Sequence, residues 1–448
     1  MERHINDAAP SASGTIRKIS SVFGNGFRLV LSSIAVLCAS SVAGVVLLTA
    51  VYALPIGPIR EHARCSIPLY EKEGIRPEWS GGGLRKTRHF TRLDNAVEMM
   101  MMCIATAPSE RPPLQSAMLN GKPFGSIAAN YPLSLSDGKN TELTYSQYAR
   151  YWHGYLVFLK PMLLFWTPQE IRVANAAFIL FCFCFACLAA KERFGTPGLL
   201  AFFAASLFLN PVSACLSLQY TASFSLSVLG FAFVCRHAEW LCHGVRVAFF
   251  FLAVGILIVF FDFLTFPLAT WGLPLTALLL SLPEKTFGSV VKSGGLSAFW
   301  LVGYAGAWAS KWELASFFTG IDVVRDAAEQ SAYRTTGTTW AGIVDGPRAL
   351  AENWNVFAQT PVLPFFVLAF LFIAFFLFRN RSDVRWQNWP CVLGLMAVSV
   401  APVVWIFVLQ NHSFVHAYMV SKMSAVTAFA LLAIPLCLCE ASGPRTSG

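Results

Sequence analysis

From Phe27 to Ala53 the chain carries a single charged residue, Arg28, and stretches of the same character recur almost to its end. A helix in water needs a polar side, and these stretches have none. About 20 consecutive apolar residues cross the hydrocarbon of a bilayer as a helix. Further runs lie at about Ile171–Ala190, Gly198–Leu209, Gln219–Cys235, Val247–Phe261, Leu268–Leu282, Gly294–Ser310, Pro361–Phe378, Pro390–Leu409 and Ala417–Cys439. With the first they predict about ten spans. The runs are continuous rather than alternating, which excludes a β-barrel. Charged residues make up 13% of the chain, against roughly 25% in soluble domains. The expected class is all-α, a polytopic helical membrane protein.

Gly154–Trp166 is apolar but too short to cross, and Lys160-Pro161 interrupts it. It reads as a re-entrant or interfacial helix. With that segment not crossing and the N-terminus in the cytoplasm, the inner joints are Lys191–Arg193, Arg236–Arg246, Lys285–Lys292 and Arg379–Arg385, all basic. The short outer joints Asn210–Leu218, Asp262–Pro267 and Gln410–His416 hold no Lys or Arg. This follows the positive-inside rule and places both termini in the cytoplasm of a multi-pass protein of the cell membrane. The expected organisation is a cytoplasmic tail over 1–26, a first span over 27–53, an outer loop with its short helix over 54–170, and a multi-span region over 171–439. That region includes a second outer loop over 311–360, and a tail follows over 440–448.

The net charge of +9 lies largely in the joints, and no basic helix or aromatic–basic alternation points to nucleic acid. The first apolar run is too long for a signal peptide and has no clear cleavage site after it. Phosphate-binding P-loops, HExxH and GxSxG are missing, so nucleotide-driven chemistry has no support.

A loop of about a hundred residues between spans far exceeds what a connection needs. This one is rich in aromatic residues. It carries Gly81-Gly82-Gly83, the basic cluster Arg85, Lys86, Arg88 and Arg92, and the stretch Tyr145 to Tyr155 with Arg150 and His153. Asp94 is its central candidate, as a carboxylate able to activate a hydroxyl or hold a cation. Glu98 stands four residues on, on the same face if the segment is helical. Both also read as solvated loop acids. Asp262, among aromatic residues in Phe260–Pro267, is either a second acid or a helix cap. Lys311 reads as a phosphate ligand or as an interfacial anchor. Asn411-His412 and His416 form an outer corner, and the histidines have ligand spacing on a helix without a third ligand. Lys422 lies inside the last span and calls for an anionic partner. Cys182, Cys184 and Cys187 read as ordinary apolar residues. Cys65 and Cys103 share the outer loop and are expected either to pair or to remain free thiols.

The layout resembles the GT-C class of membrane glycosyltransferases, which use polyprenyl-phosphate-linked sugars. The resemblance rests on the acid in a large first outer loop, the short segment Tyr151–Trp166, the following spans and the polar outer face with Lys311 and Asn411-His412. YARYWHGYLVFLKP and FFDFLTFPLATWGLPL also look like segments of multi-span bacterial proteins of this type. Where the family often shows an acid pair, this chain has Asp94-Asn95.

The resemblance implies transfer of a sugar from a lipid-linked donor in the bilayer to a glycan, lipid or protein acceptor. Asp94 would be the base, and Lys311, His412 and Arg150 would hold the donor phosphate. Asn95, Asn411 and His416 would support them. No metal site or cofactor is firmly implied, and a divalent cation stays open. A transporter or flippase for lipid-linked or polar solutes, and a membrane acyltransferase or polysaccharide polymerase, are the competing classes.

Overall fold

The computed structural model describes residues 12–80, 88–135, 143–336, 339, 342–358, 360–379 and 384–439. The triple glycine at 81–83, Arg85 and Lys86 lie outside the described residues, as does the tail 440–448. Five helical stretches are long and apolar enough to cross a membrane: Gly26–Tyr52, Pro168–Leu209, Leu218–Leu241, Trp386–Val408 and Ala417–Leu438. A sixth arises if Gly346–Ala358 and Val362–Phe375, bent by 83°, count as one broken span. The expected ten are therefore not all present at spanning length. Arg246–Phe261 and Ala269–Leu280 are apolar but have 16 and 12 residues, about 24 and 18 Å at the rise of an α-helix.

The helix Pro168–Ser206 starts with a capping box, Thr167 and Glu170 each bonding the other's backbone, which satisfies N–H groups that a helix start leaves open. It is not one rod. Gly195 has φ 69°, and Pro197 follows. The Phe183 ring lies 6.4 Å from that of Phe202, whereas 19 residues of straight helix would separate them by about 28 Å. The chain therefore doubles back at Gly195, and two of the expected runs become one helical hairpin. Along Val362–Arg379, Leu368, Leu371, Phe372 and Phe375 are more than half exposed, a surface that suits hydrocarbon rather than water.

The long loop after the first apolar helix folds into short helices, Ile56–Arg64, Ile67–Glu73, Asn95–Thr106, Pro113–Leu119 and Ile127–Ser134, with a two-stranded antiparallel pair at Lys122–Pro123 and Tyr145–Ser146. Two buried lysines hold it, one from the helix Leu156–Leu163 and one from Phe299–Thr319. Lys160 Nζ donates to the Ala105 carbonyl at 2.9 Å, and Lys311 Nζ to the Met118 carbonyl at 2.9 Å. Both acceptors lie in the last turn of a short helix, where carbonyls lack helical partners and the dipole favours a cation. Cys65 is exposed and Cys103 buried, both are free thiols, and Cys103 Sγ lies 3.6 Å from Ser134 Oγ. Of the two outcomes open for this pair, the structure has the free thiols.

The two segments YARYWHGY and FFDFLTFP, some hundred residues apart, pack directly together. The Gly154 N–H donates to the Phe260 carbonyl at 2.8 Å. A Cβ on Gly154 would fall 2.3 Å from the Phe260 ring and 2.5 Å from its carbonyl oxygen. The rings of Tyr151, His153 and Tyr155 all meet Phe263. Gly154→Val is expected to destabilise the protein by about 3 kcal/mol or more, since backbone cannot yield as a side-chain tip can. A melting curve in detergent checks this, and an unchanged midpoint contradicts it.

Candidate active site

Three distant segments enclose a cavity of about 460 Å³. The long first loop contributes Lys122, Gln147, Tyr148 and Arg150. The helix Val323–Thr336 contributes Gln330, Tyr333 and Arg334. The corner beginning at Gln410 contributes Asn411, His412, Val415 and His416. The lining carries two arginines, one lysine and no carboxylate, and burial together with the nearby Arg150 charge lowers the lysine's pKa.

The walls are tied to one another. Arg150 bridges to Asp326 at 2.6 Å, joining the loop to the helix. Arg334 donates to the Tyr151 hydroxyl at 2.5 Å and lies 5.6 Å above that ring. Asn411 Nδ2 donates to the Tyr333 carbonyl at 2.5 Å, joining the helix to the corner. Lys122 and Arg150 each lie 5.3 Å from the centre of the Tyr148 ring, an arrangement that cation–π attraction favours. Two buried polar atoms in this wall, Arg150 Nε and Asn411 Oδ1, have no partner among the described residues.

The histidines are neutral. Burial pushes His412 well below the ordinary imidazole range, with His416 and Arg334 adding to it. Burial also lowers His416, to about 4, against the pull of the Asp94 charge. His412 Nε2 lies 3.1 Å from the Leu264 carbonyl. A carbonyl only accepts, so Nε2 carries the proton and Nδ1 is the basic nitrogen. The His416 ring is 4.8 Å away.

Leu264 offers that carbonyl from an unusual conformation, φ 67°, which costs a bulky residue about 1–3 kcal/mol. Asp262 holds the turn. Its carboxylate accepts the Thr265 N–H at 2.8 Å and the Thr265 hydroxyl at 2.6 Å. Asp262 therefore shapes the turn beneath His412 and does not line the cavity, which corrects its reading as a second acid.

Asp94 is 4% exposed and caps the helix Asn95–Thr106, accepting the Val97 N–H at 3.3 Å. Its other oxygen accepts the Tyr418 hydroxyl. It is not on the cavity wall. It stands behind it, bound to the residue two positions beyond His416. Glu98 has a different role. Arg172 reaches it at 2.6 Å, Glu73 at 3.0 Å and the Asn95 carboxamide at 2.9 Å. Glu98 also accepts the Leu218 N–H at 2.7 Å. Glu98 and Asn95 thus lock the Asp94 helix to the membrane helices, so the reading of Glu98 as a second acid is corrected. Lys311 is fully buried under Trp152 and bonded to Met118, which corrects its reading as a phosphate ligand. His153, pushed down to about 3 by burial, donates from Nε2 to the Tyr148 carbonyl and accepts the Tyr155 hydroxyl at Nδ1. It supports the Tyr148 wall from beneath.

Of the expected residues, the structure brings Arg150, Asn411, His412 and His416 to one cavity. Lys122, Arg334, Tyr418 and Arg172 escaped sequence reasoning. Arg334 had a usable signal, being an arginine in the second outer loop, expected on the same side as the first. Among the described residues no group of three or more His, Cys, Asp or Glu is gathered as for a metal ion. No known family model, curated protein or solved structure matches the chain.

The sign of the histidines' pH effect follows from their lowered values. Unfolded, each takes a proton near pH 6.5; folded, they resist until about pH 4 for His416. The unfolded chain binds more protons between these values, so stability is full above about pH 6.5 and is lost as pH falls toward 4. A cavity anion that favours the protonated rings offsets that loss. Melting midpoints from pH 7 to pH 4.5, with and without sulfate, are expected to show both effects. Equal midpoints across that range contradict the assignment.

Proposed function

We propose that this protein is a membrane glycosyltransferase that moves a sugar from a polyprenyl-phosphate-linked donor to an acceptor hydroxyl on the extracytoplasmic face, in cell-envelope glycan modification. One observation carries the reading: a cavity with three cations, two neutral histidines and no carboxylate, in a protein rich in apolar helices. A phosphate leaving beside hydrocarbon needs cations and hydrogen-bond donors already in place, because little water is there to supply them. Lys122, Arg150 and Arg334 fill that need.

In this scheme the acceptor oxygen attacks the anomeric carbon. The bond from that carbon to the phosphate oxygen breaks, and the phosphate departs with the electron pair. The acceptor's proton passes to His416, the basic group on the wall. Asp94 lies behind it and stabilises the imidazolium so formed, as a buried carboxylate orients and charges a catalytic histidine elsewhere. The configuration at the anomeric carbon inverts. Tyr148 offers a ring face for the sugar.

The deciding experiment uses the purified protein in lipid discs with synthetic polyprenyl-phosphate sugars and candidate acceptors. Acceptor-dependent release of polyprenyl phosphate is expected, and cells lacking the gene should accumulate the lipid-linked sugar. Failure of the protein to bind any polyprenyl phosphate would sink the reading. The proposed sidedness has its own check. An impermeant thiol reagent added outside should label cysteines placed at Ser109 and Ser331 and spare one at Gly195.

A further inference from the structure

The last span holds a polar cluster that the cavity does not use. Lys160 and Lys311, both buried, each donate to a backbone carbonyl. Lys422 is 2% exposed, and among the described residues its ammonium meets only the face of Tyr220, 4.8 Å from the ring centre. On the two segments that meet there, the Oγ atoms of Ser217 and Ser421, the Tyr220 Oη and the Gln219 Oε1 are buried without a hydrogen-bond partner among the described residues. Segments 217–220 and 418–422 lie against one another, since Gln219 Nε2 bonds Met419 Sδ and Lys422 covers Tyr220. Four orphaned polar atoms and one unpaired ammonium at a single helix junction are not what a well-packed interior leaves behind.

We propose that Lys422 and the hydroxyls of Ser217, Tyr220 and Ser421 bind one chloride ion inside the helix bundle. The donor set argues for an anion. An ammonium only donates, and each hydroxyl is free to turn its proton inward. The burial argues for a small one: these residues are 0–2% exposed, leaving no route out for a lipid chain. The charge argues for a monoanion, since one unpaired ammonium calls for one negative charge. The nearby carboxylate, Asp94, does not serve that purpose. Its oxygens are occupied by Tyr418 and the Val97 N–H, and the Arg92 guanidinium stands 5.1 Å from the Tyr418 ring. Gln219 Oε1 is the one atom in the group that can only accept, and it would face the ammonium rather than the ion. None of these residues lines the cation-rich cavity.

The test is a melting curve of the full-length protein in detergent, with sodium gluconate replaced by sodium chloride at constant ionic strength. The wild-type midpoint is expected to rise by about 3 °C or more as chloride saturates. Lys422→Met should show no chloride response. Tyr220→Phe and Ser421→Ala each remove a hydroxyl without a protein partner, so they should fold and need about tenfold more chloride for half the effect. Chloride-35 line broadening, present in wild type and lost in Lys422→Met, reports the ion directly. A wild-type midpoint indifferent to chloride overturns the proposal, as does an equal response in folded Lys422→Met. If Lys422→Met does not fold, unchanged chloride midpoints in both hydroxyl variants overturn it.

Discussion

Asp94→Asn is expected to lower sugar transfer by about 10²–10⁴-fold, the usual loss when a general-base system is disabled, while the protein stays folded. The fold survives because an asparagine oxygen still accepts the Val97 N–H, and Asn ranks with Asp as a helix cap. The carboxamide also remains next to the Tyr418 hydroxyl, which can turn to accept rather than donate. What disappears is the charge. The Asp94 charge raises the His416 value against the effect of burial, so removing it makes the wall histidine a weaker base. The acid limb of the pH–rate profile should accordingly move to lower pH in whatever activity remains. Asp262→Asn is the control, because an amide oxygen can still accept from Thr265, and near-normal turnover is expected. A dead Asp262→Asn beside an active Asp94→Asn would reverse the two assignments.

Arg334→Gln is expected to weaken polyprenyl-phosphate binding by about ten- to a hundredfold, the equivalent of one charge-assisted hydrogen bond. The donor phosphate is charged before and after transfer, so KM and kcat should both suffer. Lys311→Met separates a ligand cation from a structural one. Its ammonium is bonded to the Met118 carbonyl and is off the cavity, so this variant should melt earlier and still bind the lipid phosphate with nearly wild-type affinity. Titration by tryptophan fluorescence reads both. The opposite pattern, with binding lost in Lys311→Met and kept in Arg334→Gln, would remove the cavity as the phosphate site.

The helical membrane class was legible because burial in lipid writes itself into composition over long windows. The span count was not, because length is read against a flat slab while Arg246–Phe261 and Ala269–Leu280 are packed inside protein, with most of their residues buried. Periodicity likewise separated Ile171–Ala190 from Gly198–Leu209 but could not say that they form a hairpin. At the site, residue type served well for histidines, which are rare and chemically distinctive, and badly for lysines. A lysine that caps a helix end and one that binds phosphate look the same in sequence, and only the carbonyl beside Lys311 tells them apart. Asp94 and Glu98, one turn apart, likewise differ only through partners far along the chain, Tyr418 and Arg172.

Those distant partners set a timetable for synthesis. Met118 waits for Lys311, 193 residues later, and Asp94 waits for Tyr418, 324 residues later. At about 5–20 residues per second, the first wait lasts roughly 10–40 s and the second roughly 16–65 s. The long first loop is made near the start and finished near the end. Ala105 has its lysine after 55 residues, but the Met118 carbonyl stays without one until Lys311 is made, and through that wait the chain is expected to be open to proteases. Truncated chains ending before residue 311 should therefore be degraded from this loop inward, however well their first spans have inserted.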